Sequence, residues 1–242
     1  MTRYALYYTP AVQTPFWQLG CSWLGRDPTG AAPLPCPAVP GMSSLMRMAL
    51  TTSARRYGFH ATLKAPFRLA PGFDESDLLK MAQAFAHVQQ PIGLPGLEVR
   101  RLENFLALCP AKPMPDLDAL AMRVVSHFDA LRAMPTGDEL ARRRLARLSL
   151  RQDALLERWG YPYTEEEFRF HMTLTDSLAT IDVDVAEALQ QAAKAHFQAV
   201  AATGIGTNTV DLDGLSIFRE VAPGAPFDVL MRIPFGGTGQ PE

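Results

Sequence analysis

The sequence has few of the residues that build disulfide frameworks and metal centres. It contains 3 cysteines and 5 histidines in 242 residues. Cys21, Cys36 and Cys109 form no Cys-x-x-Cys pair, and such an odd, sparse set is typical of a reducing compartment. No His-x-His, His-Glu-x-x-His or clustered Cys/His spacing is present to complete a zinc ligand set. We therefore predict no metal and no cofactor.

Signals for nucleotides, membranes and long nucleic acids are missing as well. The patterns Gly-x-x-x-x-Gly-Lys and Gly-x-Gly-x-x-Gly do not occur. No run of about 18 apolar residues is present to span a membrane, and the N-terminus leads directly into a strand-like segment without the apolar stretch of a signal peptide. The net charge of −2 argues against an extended nucleic-acid interface. We expect a cytoplasmic protein that does not contact membranes.

The sequence does contain one repeated motif. A first segment reads Arg-Tyr-Gly-Phe-His-Ala-Thr-Leu-Lys-Ala-Pro-Phe and ends at Phe67, and a second reads Phe-Arg-Phe-His-Met-Thr-Leu-Thr and ends at Thr175. Both contain Phe-His-x-Thr-Leu, with the histidines at His60 and His171. Aromatic and β-branched residues with period-two alternation predict a short strand for each copy.

Alternation along these strands predicts which side chains share a face. Residues two apart lie on the same side of a strand. The first polar face would then carry His60, Thr62 and Lys64. The second would carry Arg169, His171, Thr173 and Thr175. Two such strands side by side would surround one cleft with two imidazoles and at least two hydroxyls.

This set of groups suits proton transfer at a phosphate. An imidazole has an unperturbed pKa of about 6.5, so one neutral histidine can accept a proton while a protonated one donates another. A threonine hydroxyl can donate a hydrogen bond to a phosphoryl oxygen, and Lys64 and Arg169 can neutralise its charge. The residues do not decide which histidine is the acid and which is the base. Tyr7, in a strand predicted over Arg3 to Thr9, would reach the cleft if that strand neighbours the first motif; packing in the core is the alternative.

The paired His-x-Thr motifs resemble those of the 2H phosphoesterase superfamily. The longer segment around His60 and Thr62, which ends at Phe67, resembles the uncharacterised DUF1045 branch found among bacterial phosphonate-utilisation proteins. The resemblance implies an α+β fold with two pseudo-symmetric lobes, in which antiparallel sheets backed by helices enclose a central cleft. It also implies a metal-independent reaction on a cyclic phosphate or phosphodiester.

The remaining segments predict one two-lobed domain over residues 1–242. The approximate lobes are 1–135 and 160–235, joined by a helical connection over 136–159. Apolar periodicity predicts helices over 74–89, 116–132, 138–158 and 183–200. The arginine-rich helix 138–158 is either a basic rim for the substrate or a solvated face, and the proline-rich segment 27–41 is either a rim loop or a passive connector.

From these features we predict a hydrolase, namely a 2H-type cyclic phosphodiesterase. Its substrate would be a cyclic phosphate of a ribosyl or nucleotide metabolite linked to phosphonate metabolism, or an RNA end. His60 and His171 would be the catalytic acid and base. Thr62, Thr173, Lys64, Arg169 and Tyr7 would bind the phosphate. The alternative is a non-catalytic binding protein or sensor for a phosphorylated metabolite or an RNA end.

Overall fold

The computed structural model of the chain describes residues 1–12, 14–202 and 209–236. The strands in this part are β1 (Arg3–Tyr8), β2 (Ala61–Phe67), β3 (Ile92–Pro95), β4 (Leu97–Leu102), β5 (Phe105–Pro110), β6 (Met172–Thr173), β7 (Thr209–Leu212), β8 (Gly214–Glu220) and β9 (Phe227–Pro234). Seven of them form one sheet in the order β4-β5-β6-β2-β1-β8-β9, and β3 pairs with β7 in a second, two-stranded sheet. All the strand pairs are antiparallel.

The two motif strands, β2 and β6, are neighbours in the middle of the large sheet. The prediction of antiparallel sheets backed by helices is confirmed. The predicted arrangement, in which each half of the chain forms its own sheet and the two sheets face each other, differs from what is observed. Strand β6 lies between β5 and β2, and β8 lies beside β1, so strands from the two halves alternate within a single sheet.

Helices cover the sheet and enclose the main core. They are α1 (Pro15–Leu24), α2 (Ser44–Ala49), α3 (Thr52–Tyr57), α4 (Glu75–His87), α5 (Pro115–His127), α6 (Gly137–Arg144), α7 (Leu150–Trp159) and α8 (Val183–Ala202), with 3-10 turns at Asp129–Leu131 and Glu165–Glu167. The apolar residues of both motifs, Phe59, Leu63, Phe170 and Met172 among them, are buried in this core. A smaller cluster contains Ala5, Tyr7, Phe218 and Phe227.

The prediction of one long helix over 138–158 is wrong, because the segment forms α6 and α7. Arg147 has a left-handed backbone with φ of 55°, which interrupts the helix. Ser149 then caps α7, its hydroxyl accepting from the Gln152 backbone while the Gln152 side chain accepts in return. Several arginines of this segment are paired with carboxylates, as in Arg144 with Asp153 at 2.6 Å. This pairing favours the solvated-face interpretation over the basic rim.

Other predicted segments match the described residues closely. The proline-rich segment 27–41 contains neither helix nor strand, and its Pro28 lies against Gly58, immediately before the first motif. The sequence also predicts a strand over 207–212, and the structure has β7 from Thr209, while positions 207 and 208 lie outside the described residues. It further predicts a frayed C-terminal end from Gly236, and the residues after Gly236 lie outside the described part as well. Within the described part of the chain, no helix has the length and apolarity needed to cross a membrane.

Candidate active site

The first histidine is positioned by a sharp turn between α3 and β2. Gly58 ends α3 with φ of 76°, a value that L side chains rarely adopt, and a Cβ there would lie 2.9 Å from Pro28. This turn directs the Gly58 carbonyl toward the imidazole, whose Nδ1 lies 2.9 Å from it. His60 immediately precedes β2, and its ring is held by the backbone two residues earlier.

The second histidine is held in the same way. His171 immediately precedes β6, and its Nδ1 lies 2.7 Å from the Arg169 carbonyl, again two residues earlier. A carbonyl oxygen only accepts, so Nδ1 of each neutral ring carries the hydrogen and Nε2 carries the lone pair. Both motifs therefore present Nε2 as a proton acceptor.

Strand pairing brings the two motifs together. Ala61 of β2 is opposite Met172 of β6 in an antiparallel register. Continuing this register by one residue in each direction places Thr62 across from His171 and His60 across from Thr173. Residues opposite each other in such a pair lie about 4.5–5.5 Å apart at Cβ. Each histidine thus faces the threonine of the other motif.

Burial keeps both imidazoles neutral near pH 7. Burial lowers the pKa of His60 to about 4; the Gly58 carbonyl opposes this shift, and the charge of His171 adds to it. Burial also lowers the pKa of His171, against the opposing effect of the Arg169 carbonyl. The Thr62 hydroxyl donates to Nε2 of His60 at 3.3 Å. No such bond to Nε2 of His171 occurs among the described residues.

Tyr7 supports the first histidine from the neighbouring strand. It is opposite Thr62 in the β1–β2 register, and its ring stacks on His60 with centroids 3.9 Å apart. The side chain is buried, which raises the pKa of Tyr7 well above its ordinary value. Tyr7 therefore contacts the imidazole through its ring face, as a neutral phenol.

A bulge changes the position of Lys64. The register shifts between the pairs Tyr7–Thr62 and Leu6–Lys64, so Leu63 is an extra residue on β2. The alternation that predicted Lys64 on the face of Thr62 is thereby interrupted. Lys64 is opposite Leu6, a core residue, and its ammonium donates to the Val125 carbonyl at 2.9 Å and to Asp129 at 3.2 Å. Burial lowers the pKa of Lys64 to about 8, and Asp129 opposes that shift.

A cavity of about 350 Å³ adjoins the second motif. Its wall includes Thr62, Lys64, Tyr161, Thr164, Arg169 and His171. Arg169 is exposed, and its guanidinium has neither a hydrogen bond nor an ion pair in the part of the chain that the structure describes. A larger cavity of about 1130 Å³ is lined by other residues, including Phe16, Arg100, Lys194 and Asp213, and contains neither motif histidine. The smaller cavity is therefore the candidate site; of the predicted site residues it is lined by Thr62, Lys64, Arg169 and His171, but not by His60, Thr173 or Tyr7.

Sequence reasoning missed the wall contributed by the end of α7 and the segment after it. Tyr161 lies in this wall, and burial raises the pKa of Tyr161 to about 12 while Arg143 opposes the shift. Arg143 lies over the Tyr161 ring at 5.0 Å. In the sequence this segment, Gly160-Tyr161-Pro162-Tyr163, indicates only the end of the preceding helix. Among the described residues, no group of three or more His, Cys, Asp or Glu side chains could hold a metal ion.

Comparison with known proteins identifies related chains. The family described as a protein of unknown function (DUF1045) matches residues 62–228. A protein of Janthinobacterium sp. (strain Marseille), named ribose 1,5-bisphosphate phosphokinase PhnN, is 53% identical over 240 residues, which cover 99% of this chain and 52% of that protein. A protein of the same name from Laribacter hongkongensis (strain HLHK9) is 37% identical over 228 residues, 93% of this chain and 50% of its own length.

These relatives correct the predicted reaction. Both are named as kinases, which transfer phosphoryl groups, and this contradicts the prediction of a cyclic phosphodiesterase and the hydrolase class. Both names refer to ribose 1,5-bisphosphate for those proteins, and neither refers to RNA. The chain spans about half the length of the curated relatives it matches.

Proposed function

The chain belongs to the DUF1045 family, and from this premise we propose that its two-histidine cleft binds a phosphorylated ribose of the ribose 1,5-bisphosphate class during phosphoryl transfer. The observation that carries this proposal is the matched pair of Nε2 atoms, each fixed by a bond from Nδ1 to a backbone carbonyl. Because the two motifs are on adjacent strands, we place the ligand in the cavity lined by His171, next to the motif of His60.

The groups around the cleft complement a sugar phosphate. Ribose hydroxyls donate hydrogen bonds, and neutral Nε2 atoms accept them. The Thr173 hydroxyl and the Arg169 guanidinium are donors for phosphate oxygens, and arginine can bind a phosphate through two parallel bonds. The cavity of about 350 Å³ is within the usual size range of small-molecule sites, roughly 300–1,000 Å³.

We assign the acceptor side of the transfer to this chain. The relatives contain a further half that does not align with it, and the present sequence contains no Gly-x-x-x-x-Gly-Lys pattern. In this proposal the phosphoryl donor is bound by that further half, or by a separate protein of the same kind. A neutral histidine would accept the proton that the sugar or its phosphate loses during transfer.

We also propose a pseudo-symmetric organisation of the chain as one domain with two lobes. Its support is the strand order, in which β4, β5 and β6 lie on one side of the sheet centre and β2, β1 and β8 on the other. His60 and His171 then occupy equivalent positions, each immediately before a central strand. The lobes are spatial halves of a shared sheet rather than the sequence ranges 1–135 and 160–235.

Calorimetric titration with ribose 1,5-bisphosphate tests the binding proposal. We expect this ligand to bind the chain at least about tenfold more tightly than ribose does, because charge-assisted bonds to its phosphates are added. His171→Ala should weaken binding by at least about tenfold. His127→Ala replaces an exposed histidine on α5 outside the cavity and serves as the matched control. Equal affinity in the His171→Ala and control variants, or an absence of binding, would overturn the proposal.

A second measurement tests phosphoryl transfer. Phosphorus NMR of the bound sugar with ATP, in the presence of the aligned relative from Janthinobacterium, follows the reaction directly. Adding this chain with an intact His171 should change the rate, and adding the His171→Ala variant should not. If the native chain and the His171→Ala variant give the same rate of phosphoryl transfer, the chain has no part in the transfer, and the proposal of phosphoryl transfer is contradicted.

A further inference from the structure

Two buried polar atoms in the cavity wall have no partner. Arg132 Nη1 and Thr164 Oγ1 are both closed to bulk water and make no hydrogen bond among the described residues. Both residues line the cavity that contains His171. A buried polar group without a partner costs roughly 1–3 kcal/mol. Their occurrence in one wall indicates a place where a ligand supplies the missing acceptor.

Hydrogen bonds from Nε and Nη2 hold the Arg132 guanidinium in place and leave its third nitrogen, Nη1, without an acceptor. Its Nε and Nη2 donate to the two oxygens of Asp129 at 2.7 and 3.2 Å, and Nη2 also donates to the Arg158 carbonyl at 3.0 Å. The side chain is 6% exposed. The remaining nitrogen, Nη1, carries two N–H groups of the guanidinium fork. The protein therefore fixes this donor without using it.

A glycine lets this donor pack closely against the end of α7. Gly160 ends α7 with φ of 73°, and a Cβ added there would lie 3.1 Å from Nη1 of Arg132. Any other residue would crowd Nη1 and would also strain the backbone. Gly160 itself lines the cavity, so a side chain at this position would displace Nη1 from its place in the wall.

The local charge favours an anion. Lys64 and Arg132 both bind the single carboxylate of Asp129, which leaves one positive charge in excess in this buried group. Burial raises the pKa of Asp129, but the bonds from Arg132 and Lys64 outweigh it, so its pKa is lowered and it stays ionised. The wall itself contains two carboxylates, Glu103 and Glu167, against the cations of Lys64, Arg132 and Arg169. Glu167 accepts a hydrogen bond from the Gln152 side chain at 2.9 Å.

We propose that Arg132 and Thr164 form a second phosphate subsite in this cavity, in addition to the one at His171 and Arg169. The Thr164 hydroxyl and the Arg132 guanidinium donate to the oxygens of one phosphate, and the other phosphate of the same ligand lies at the Arg169 guanidinium, beside His171. The cavity thus selects a doubly phosphorylated small sugar over a singly phosphorylated one. The identity of the ligand rests on the proposed function, whereas the subsite itself rests on the unpaired donors.

Thr164→Val gives the sharpest test, because it removes the hydroxyl with little change of shape. Loss of an unpaired buried hydroxyl should leave the melting temperature without ligand equal or higher. The affinity ratio of ribose 1,5-bisphosphate to ribose 5-phosphate should fall by about fivefold or more, the scale of one hydrogen bond to a charged group. An unchanged ratio, or a lower melting temperature in the unliganded variant, would overturn the subsite.

A second test of the subsite uses inorganic phosphate as the ligand and Gly160→Ala as the variant, so that it does not depend on sugar binding. Millimolar inorganic phosphate should raise the melting temperature of the native chain through binding to the folded state. Gly160→Ala should lose part of this rise, and the control Gly137→Ala, at a position with open space on α6, should keep it. If the sugars do not bind but phosphate stabilises the native chain more than the Thr164→Val and Gly160→Ala variants, the proposed function fails and the subsite stands. Equal stabilisation of all these proteins by phosphate means an adventitious ion only and contradicts the subsite.

Discussion

The two motif regions share a sequence pattern, and in both the histidine Nδ1 donates to a backbone carbonyl two residues earlier, but their surroundings differ. His60 is followed by the seven-residue strand β2, stacks on Tyr7 and accepts a hydrogen bond from Thr62. His171 is followed by the two-residue strand β6 and has an aromatic neighbour in Phe105, whose ring centroid is 5.6 Å away. Its Nε2 lacks an internal bond in the described structure, and its side chain lines the smaller cavity.

This difference shows that the repeated motif determines the position of each histidine ring but not the hydrogen bonding of its Nε2. The Phe-His-x-Thr-Leu pattern accounts for the position of each ring at a strand start. The availability of each Nε2 differs because the Thr62 hydroxyl of the same motif donates to His60, whereas no group among the described residues donates to Nε2 of His171. We therefore expect the first motif to contribute more to stability and the second to contribute more to binding.

The largest effect should come from the phenylalanine before each histidine. Phe59 packs on Phe16 with ring centroids 5.3 Å apart and is fully buried. Phe59→Ala should lower the free energy of unfolding by about 3–5 kcal/mol through loss of buried surface and a residual cavity. Phe170→Ala should cost less, because Phe170 is 6% exposed. Urea denaturation measures both, and equal losses would remove the difference in packing between the motifs.

Ligand affinity should show the opposite order. His171→Ala should weaken binding of ribose 1,5-bisphosphate by about 10- to 100-fold, or ~1.5–3 kcal/mol, because its Nε2 is available. His60→Ala should weaken it less, because Nε2 of His60 must first give up its bond from Thr62. Titration calorimetry on both variants compares the two motifs directly. A larger loss for His60→Ala would reverse the roles we assign.

Acidification should destabilise the protein through the first motif. The pKa of folded His60 is about 4, below the unfolded value of about 6.5, so the unfolded state binds more protons between these pH values. The free energy of unfolding should therefore fall by about 1–3 kcal/mol as the pH decreases from 6.5 to 4. His60→Phe retains a ring against Tyr7 and should flatten this decrease. An unchanged slope in the variant would assign the pH dependence to other groups.

The smallest effect should distinguish the two threonines. Thr62→Val removes the donor to His60 and should lower the free energy of unfolding by about 0.5–1.5 kcal/mol. It should also raise the pKa of His60, since that bond stabilises the neutral imidazole. Thr173→Val should leave stability unchanged, because its hydroxyl makes no hydrogen bond within the described residues. Histidine NMR titration and urea denaturation detect both effects, and matching behaviour of the two variants would show equivalent environments.

The central part of the fold could be predicted because its signal is local and repeated. The alternation around His60 and His171 indicates strands, and the repetition indicates that the strands belong together. The bulge at Leu63 could not be predicted, because it depends on how β1 pairs with β2. The break between α6 and α7 was present in the sequence as a capping signal at Ser149, but apolar periodicity outweighed it in the prediction.

The candidate site was predictable to the same extent. His60, Thr62, His171 and Thr173 all come from the repeat, and β2 and β6 bring them together. Arg132 is the last residue of the helix predicted over 116–132, and Tyr161 and Thr164 lie in a segment without a repeat or a period. Their place in the cavity wall results from the packing of α7 and the following turn, and the sequence contains no local signal for such tertiary contacts.

The strand order has a consequence for how the protein folds during synthesis. The β4–β5 hairpin and the β1–β2 pair can form early, yet each leaves an unpaired edge until β6 emerges from the ribosome and joins β5 to β2. Open edges recruit other strands, so the nascent chain is exposed to aggregation during this interval. Because β6 contains Thr173 and directly follows His171, the step that joins β5 to β2 also assembles the ligand-binding groups, while the other edge of β1 stays open until β8 pairs with it.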